Sequence, residues 1–159
     1  MKKKIVLSIL LGTALVVGIV FALAGEGIPT LAEGVGLVET EIWLNCNPGG
    51  NNTATLTVIN GKDSDKLFSI TLAQPNPDSL QAGYEPFPEE HYGWFTLPEE
   101  LISVPAGGYF RVSIPISVPA DTDFLDRPAE LRVQAIAFNP DGIVQIGVAS
   151  KWYIVVTEP

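Results

Sequence analysis

From residue 53 onward, apolar and polar residues alternate over most of the chain. A period of two places successive side chains on opposite faces of a strand. In 53–60 (TATLTVIN), Ala54, Leu56 and Val58 fall on one face and Thr53, Thr55 and Thr57 on the other. Threonine suits the solvated face of a half-buried strand. In 67–72, Phe68, Ile70 and Leu72 oppose Leu67, Ser69 and Thr71. The clearest pattern is 109–118, where Phe110, Val112, Ile114, Ile116 and Val118 alternate with Arg111, Ser113, Pro115 and Ser117. A one-residue slip would turn that whole apolar set outward, so its register is strongly specified. Pro115 has no N–H to give a ladder, which predicts a sheet edge or a bulge there. In 131–139, Leu131, Val133, Ala135 and Ala137 share one face, and Ile136 and Phe138 make the other partly apolar. The turn Asn139-Pro140-Asp141-Gly142 leads into 143–156, one long or broken strand with Trp152, Ile154 and Val156 inward. Nearer the start, Val35, Leu37 and residues 42–44 predict a first strand with an imperfect pattern.

About seven short strands, punctuated by turns and without an amphipathic helix, predict an all-β fold, a single immunoglobulin-like β-sandwich. Residues 74–93 break the pattern. They hold Pro75, Pro77, Pro86 and Pro88 and no period, and predict a long loop with at most a short edge strand. Long loops inside compact domains are often functional. Tyr84, Phe87, Tyr92 and Trp94 cluster in and just after it. Aromatic side chains there would form a contact surface or plug the end of the sandwich, Trp94 first.

The first residues are an address. Lys2, Lys3 and Lys4 precede twenty residues without a charge, 5–24, ending in Ala22-Leu23-Ala24. A basic start, an apolar run and a small-x-small end describe a secretory signal, cut after Ala24. The competing reading is an uncleaved anchor helix, since twenty residues span roughly 30 Å of hydrocarbon. Residues 25–34 are a flexible lead-in, and 35–159 form the sandwich. Either reading places the sandwich outside the cytoplasm, secreted or at the cell surface, with membrane contact only through residues 5–24 if they are retained.

Composition narrows the function. Three of the nine basic residues are the leader lysines, which leaves 6 bases against 18 acids beyond it, a net of −12. That balance repels phosphate backbones and excludes nucleic acid as a partner. Cys46 is the single cysteine, so no intrachain disulfide and no cysteine-based zinc site can form. It reads as a small buried hydrophobe, with an intermolecular disulfide as the alternative. His91 is the single histidine, and no Gly-x-Ser-x-Gly elbow occurs. Glu89-Glu90 and Glu99-Glu100 read as solvated acids rather than a glycosidase pair. The chain is therefore expected not to be an enzyme and to need no cofactor. One cation site is open to question: Asp121, Asp123 and Asp126 could supply oxygens to Ca²⁺, or simply cap turns. Asn51-Asn52-Thr53 is a glycosylation sequon on Asn51, in what reads as an exposed turn. Tyr84, Phe87, His91 and Tyr92 of loop 74–93 are the residues expected to touch a protein or glycan partner.

Several stretches together resemble a known pattern: Pro48-Gly49-Gly50 before TATLTVIN, Trp94 followed by Leu97, the turn Val104-Pro105-Ala106-Gly107-Gly108, then YFRVSIPISVP and the final WYIVV. They are similar to the Ig-like modules of exported bacterial and archaeal proteins, including the NPCBM-associated domain family, over roughly residues 44–156. The resemblance implies a spacer or binding unit without catalytic residues. The expected function is a structural, adhesive or protein- or carbohydrate-binding role outside the cytoplasm. One alternative is a self-assembling surface or matrix fibre subunit, in which residues 24–38 add as a strand to a neighbour's edge. A pilus-chaperone-like holder would call for a second sandwich domain, and an exported hydrolase would depend on His91.

Overall fold

The computed structural model describes residues 34–138 and 144–158. The leader, its cleavage point, lead-in residues 25–33 and the turn at 139–142 lie outside the described residues. The period-two segments form strands. In chain order they are β1 (Val35–Leu37), β2 (Glu41–Cys46), β3 (Asn51–Asn60), β4 (Lys66–Ala73), β5 (Glu85–Pro86), β6 (Ile102–Val104), β7 (Tyr109–Ser117), β8 (Ala129–Phe138) and β9 (Val144–Val156). That makes nine strands among the described residues, where alternation alone predicts about seven. Of the nine, β1, β5 and β6 have only two or three residues, too few to show a period.

The strands make two sheets, one ordered β1-β3-β7 and one ordered β2-β9-β8-β4-β6, with β5 alongside β8. All pairings are antiparallel except β2 with β9 and β5 with β8. The imperfect first strand is two strands in different sheets. Leu37 pairs with Val58 across β1 and β3, and Trp43 pairs with Tyr153 across β2 and β9. Between them Glu39 anchors the crossing, since Thr57 donates to its carboxylate from its backbone N–H and from Oγ1, the latter at 2.9 Å. This also explains why Thr57, expected on a solvated face, is buried.

The inward sets are otherwise as the alternation predicts. Leu56, Val58, Phe68, Ile114, Leu131, Val133, Trp152 and Ile154 have almost no exposed surface and share one core. Phe110 differs. It is the first inward residue of β7 yet is 45% exposed, because a cleft opens there between β6 and β7. Pro115 lies on an edge strand, as its missing N–H requires, and its carbonyl accepts from Thr96 N at 2.9 Å.

Asn60 ends β3 and is fully buried. Its Nδ2 donates to the carbonyls of Ser64 (2.9 Å), Val104 (3.0 Å) and Pro105 (3.1 Å), and its Oδ1 accepts from Lys62 N (3.2 Å). One amide thus ties the β3–β4 turn to the β6–β7 corner. That corner turns through Gly107 at φ 64°, a left-handed conformation that suits glycine.

Segment 74–93 is ordered rather than irregular. It contains 3₁₀ turns at Pro77–Ser79 and Glu89–Trp94 and the short strand β5. Glu85 N donates to Pro128 O at 3.1 Å and Phe87 N to Glu130 O at 2.9 Å, so it is laced to β8 and the residues before it.

Candidate functional site

The outer face of the six-stranded sheet carries a group of aromatic and charged side chains built from β2, β9 and β8. Register sets Trp43 beside Tyr153 and Tyr153 beside Glu130. The adjoining row is Glu41, Lys151 and Arg132. Trp43 stacks on Tyr153 with ring centroids 4.1 Å apart and planes at 28°. Tyr84 stands edge-on to both, at 6.1 Å from Trp43 and 5.2 Å from Tyr153. Tyr153 is buried beneath them, whereas Trp43 keeps 60% of its surface exposed.

Polar contacts hold this arrangement. Glu130 is fully buried, pairs with the Arg132 guanidinium at 2.8 Å and accepts from Gln81 N at 2.9 Å. Arg132 also donates to Ser79 Oγ at 3.2 Å. These bonds pin residues 79–81 over the sheet, so the following residues deliver Tyr84 to Tyr153. The Tyr153 hydroxyl donates to Glu41 Oε1 at 3.4 Å. Burial, then the nearby carboxylates of Glu41 and Glu130, push that phenol above its ordinary pKa, and it stays protonated at neutral pH.

The result is an exposed indole backed by Tyr153 and edged by Tyr84, with polar side chains at its margins. Glu41 and Asn45 are exposed two residues either side of Trp43, on the same face of β2. An open indole face binds the apolar face of a sugar ring, a cation or an apolar side chain, and flanking acid and amide groups fix orientation.

Of the residues singled out in the sequence, Tyr84 joins this surface. Phe87 does not, which corrects the expectation that it touches a partner. It is fully buried, with Trp94, Phe95 and Phe124 at 5.4–5.7 Å around it. His91 stacks on Trp94 at 4.5 Å, and Tyr92 lies parallel to Phe87 at 6.4 Å. Both are half-buried, and burial, then Glu89, raises the Tyr92 phenol pKa. The 3₁₀ turn at Glu89–Trp94 carries these rings to the core, so this cluster closes the sandwich, the packing role foreseen for Trp94.

Asp121, Asp123 and Asp126 are exposed, and Asp126 N donates to Val156 O at 2.8 Å in a left-handed turn of φ 52°. Among the described residues no three His, Cys, Asp or Glu side chains are grouped to hold a metal ion, these aspartates included. Asn51 is exposed but opens strand β3 rather than sitting in a turn, and its Oδ1 accepts from Ser117 Oγ at 2.7 Å. Cys46 is buried and free, and burial pushes its thiol pKa up. Glu89, Glu90, Glu99 and Glu100 are exposed.

Trp43 and Tyr153 escaped the sequence reading. Their signal lay in the imperfection of β2: Ile42 and Leu44 take the inward positions, which leaves a tryptophan facing out.

No protein-family model matches the chain, and no curated protein sequence is similar to it. Solved structures are similar in fold. The ASH / PapD-like domain of human CEP192 superposes with a TM-score of 0.56 at 12% identity, covering 86% of this chain and 96% of that one. The fold is immunoglobulin-like, similar to PapD-like domains. A chain from a chaperone–tip adhesin complex of CFA/I fimbriae biogenesis gives 0.52 at 15% identity, over 79% of this chain and 57% of that one. One from the complex of Salmonella enterica SafA pilin with the SafB chaperone gives 0.50 at 18%, over 80% and 56%. This chain therefore spans little more than half the length of those two. At such identities the likeness is one of fold.

Proposed function

We propose that this chain is a non-enzymatic binding module that works outside the cytoplasm and takes a glycan on the Trp43–Tyr153–Tyr84 surface. The observation that carries the reading is the 60% exposure of Trp43, held flat against a buried tyrosine. A large aromatic left open on a sheet, flanked by a carboxylate and a carboxamide, suits stacking against a sugar with hydroxyls bonded at the sides. The location rests on the basic, then apolar, first 24 residues. The non-enzymatic reading is supported by the packing of His91, the single histidine, against Trp94. A protein partner is the second reading, favoured by the likeness to chains solved in complexes with a pilin and a tip adhesin.

Tryptophan fluorescence tests the site directly. Trp94 and Trp152 are buried, so among the three tryptophans Trp43 reports on solvent. Soluble oligosaccharides of glucose, N-acetylglucosamine and mannose are titrated into the full chain. Saturable quenching with a blue shift, abolished in Trp43→Ala, is the expected result. A panel that leaves the emission unchanged, alongside a protein partner whose capture Trp43→Ala abolishes, would replace the glycan by the second reading. The intact mass of the exported form checks the location.

A further inference from the structure

We propose that the sugar stacked on Trp43 is a neutral N-acetylated amino sugar, its acetamido group held by the outer edge of β2 and by Asn45, a proposal that rests on the glycan reading of the same surface.

The backbone of β2 sets the geometry. β2 pairs with β9 and ends the larger sheet. Thr40 O accepts from Lys151 N at 2.8 Å where β2 begins, and Cys46 O accepts from Thr157 N at 3.0 Å where it ends. Peptide groups two residues apart in a strand point the same way. Thr40, Ile42, Leu44 and Cys46 therefore turn theirs toward β9, and Glu41, Trp43 and Asn45 turn theirs away from it. Among the described residues no strand lies on that far side.

The indole opens in the same direction. Tyr153 belongs to β9 and stacks on one face of Trp43 at 4.1 Å. The opposite face, turned away from Tyr153, carries the exposed surface of the ring. A sugar laid on it has the backbone N–H and C=O of Trp43 beneath its rim.

Asn45 lies on the same face of β2, about 6.6 Å along the strand from Trp43, and is exposed. Its carboxamide offers both a donor and an acceptor. A planar trans acetamide presents its C=O and N–H in opposite directions. One of them meets the Trp43 peptide groups and the other the Asn45 carboxamide, while the acetyl methyl adds apolar contact. A hydroxyl in that position is a single oxygen, too short to bridge the two.

Charge narrows the class. The exposed Glu41 and the net charge of −9 repel sugars that carry a carboxylate. A free ammonium gains little, because Glu41 already accepts from the Tyr153 hydroxyl at 3.4 Å and faces Lys151 across the strand pair. A neutral acetamide has neither disadvantage.

The test uses β-1,4-linked trisaccharides of glucose, N-acetylglucosamine and glucosamine, which differ only in a hydroxyl, acetamide or ammonium on the second carbon. Each is titrated into isotope-labelled full chain. The acetamide sugar is expected to bind about three- to tenfold tighter than the hydroxyl sugar, the range of one added hydrogen bond, and to slow hydrogen exchange at the Trp43 backbone amide. Asn45→Ala should erase that preference and leave the affinity for the hydroxyl sugar unchanged. Trp43→Ala should abolish binding of every sugar in the set. The proposal is overturned if the acetamide sugar binds no tighter than the hydroxyl sugar, if the ammonium sugar binds tightest, or if Asn45→Ala leaves the preference intact. In each of those cases saturable quenching of Trp43 by any oligosaccharide keeps the glycan reading standing, whereas emission unchanged by the whole panel ends both.

Discussion

At the residue scale, two buried polar groups have measurable consequences. Asn60 Nδ2 donates to three backbone carbonyls. Replacing it with alanine strands the buried Val104 carbonyl and releases the corner beside it. Such losses cost about 1–3 kcal/mol per buried group, so Asn60→Ala is expected to lower unfolding free energy by about 3 kcal/mol in urea titrations. Cys46 gives a pH signature. Its folded thiol holds its proton more tightly than an unfolded one, because burial disfavours the thiolate. The associated stability is complete below the unfolded thiol pKa and is lost as pH rises toward the folded value. The stability advantage of the wild type over Cys46→Ala should therefore shrink between about pH 8 and pH 10, where an unfolded thiol ionises. An advantage that stays constant across that range would refute the burial argument. Burial of the single cysteine is legible in the sequence, whereas the role of Asn60 is not. An asparagine before a glycine reads as a turn, and only the meeting of two distant corners makes it a clamp.

At the element scale, strand periods were legible and the short elements were not. β3, β4, β7, β8 and β9 follow from alternation, which is local. β5 and β6 exist because β8 and β4 offer them an edge. The division of β1 from β2 follows from Glu39 reaching Thr57, a contact eighteen residues away in sequence. Segment 74–93 illustrates the same dependence. Its 3₁₀ turn carries Phe87, His91 and Tyr92 to the core, while the buried Glu130 holds residues 79–81 over the sheet and so positions Tyr84. Glu130→Ala leaves the Arg132 guanidinium and Gln81 N without their carboxylate. Breaking a buried pair in this way costs about 3–5 kcal/mol. Proteolysis within 79–84 should accelerate, and the emission of Trp43 should shift red as Tyr84 leaves its edge. Unchanged proteolysis would show that β5 alone holds the segment.

At the scale of the whole molecule, one core joins two sheets, and the proposed recognition surface lies on the outer face of the larger one. A net charge of −9 favours partners that are neutral or that bring their own positive charge. The aromatic surface sits at the β2 end of the larger sheet and the cleft beside Phe110 at the β6 end. The sequence by itself determined the class of fold and the inward face of each long strand, because both depend on period two and on turn residues that act over a few positions. It also determined that no intrachain disulfide can form, since a single cysteine is a matter of count. Only the tertiary structure decided which strands lie side by side. Trp43, Tyr84 and Tyr153 are far apart along the chain and meet through strand order and one buried carboxylate, and Phe87 is withdrawn from solvent by the same packing. Non-local pairing has no periodic trace in a sequence, and that is why the surface was hidden while the sandwich was plain.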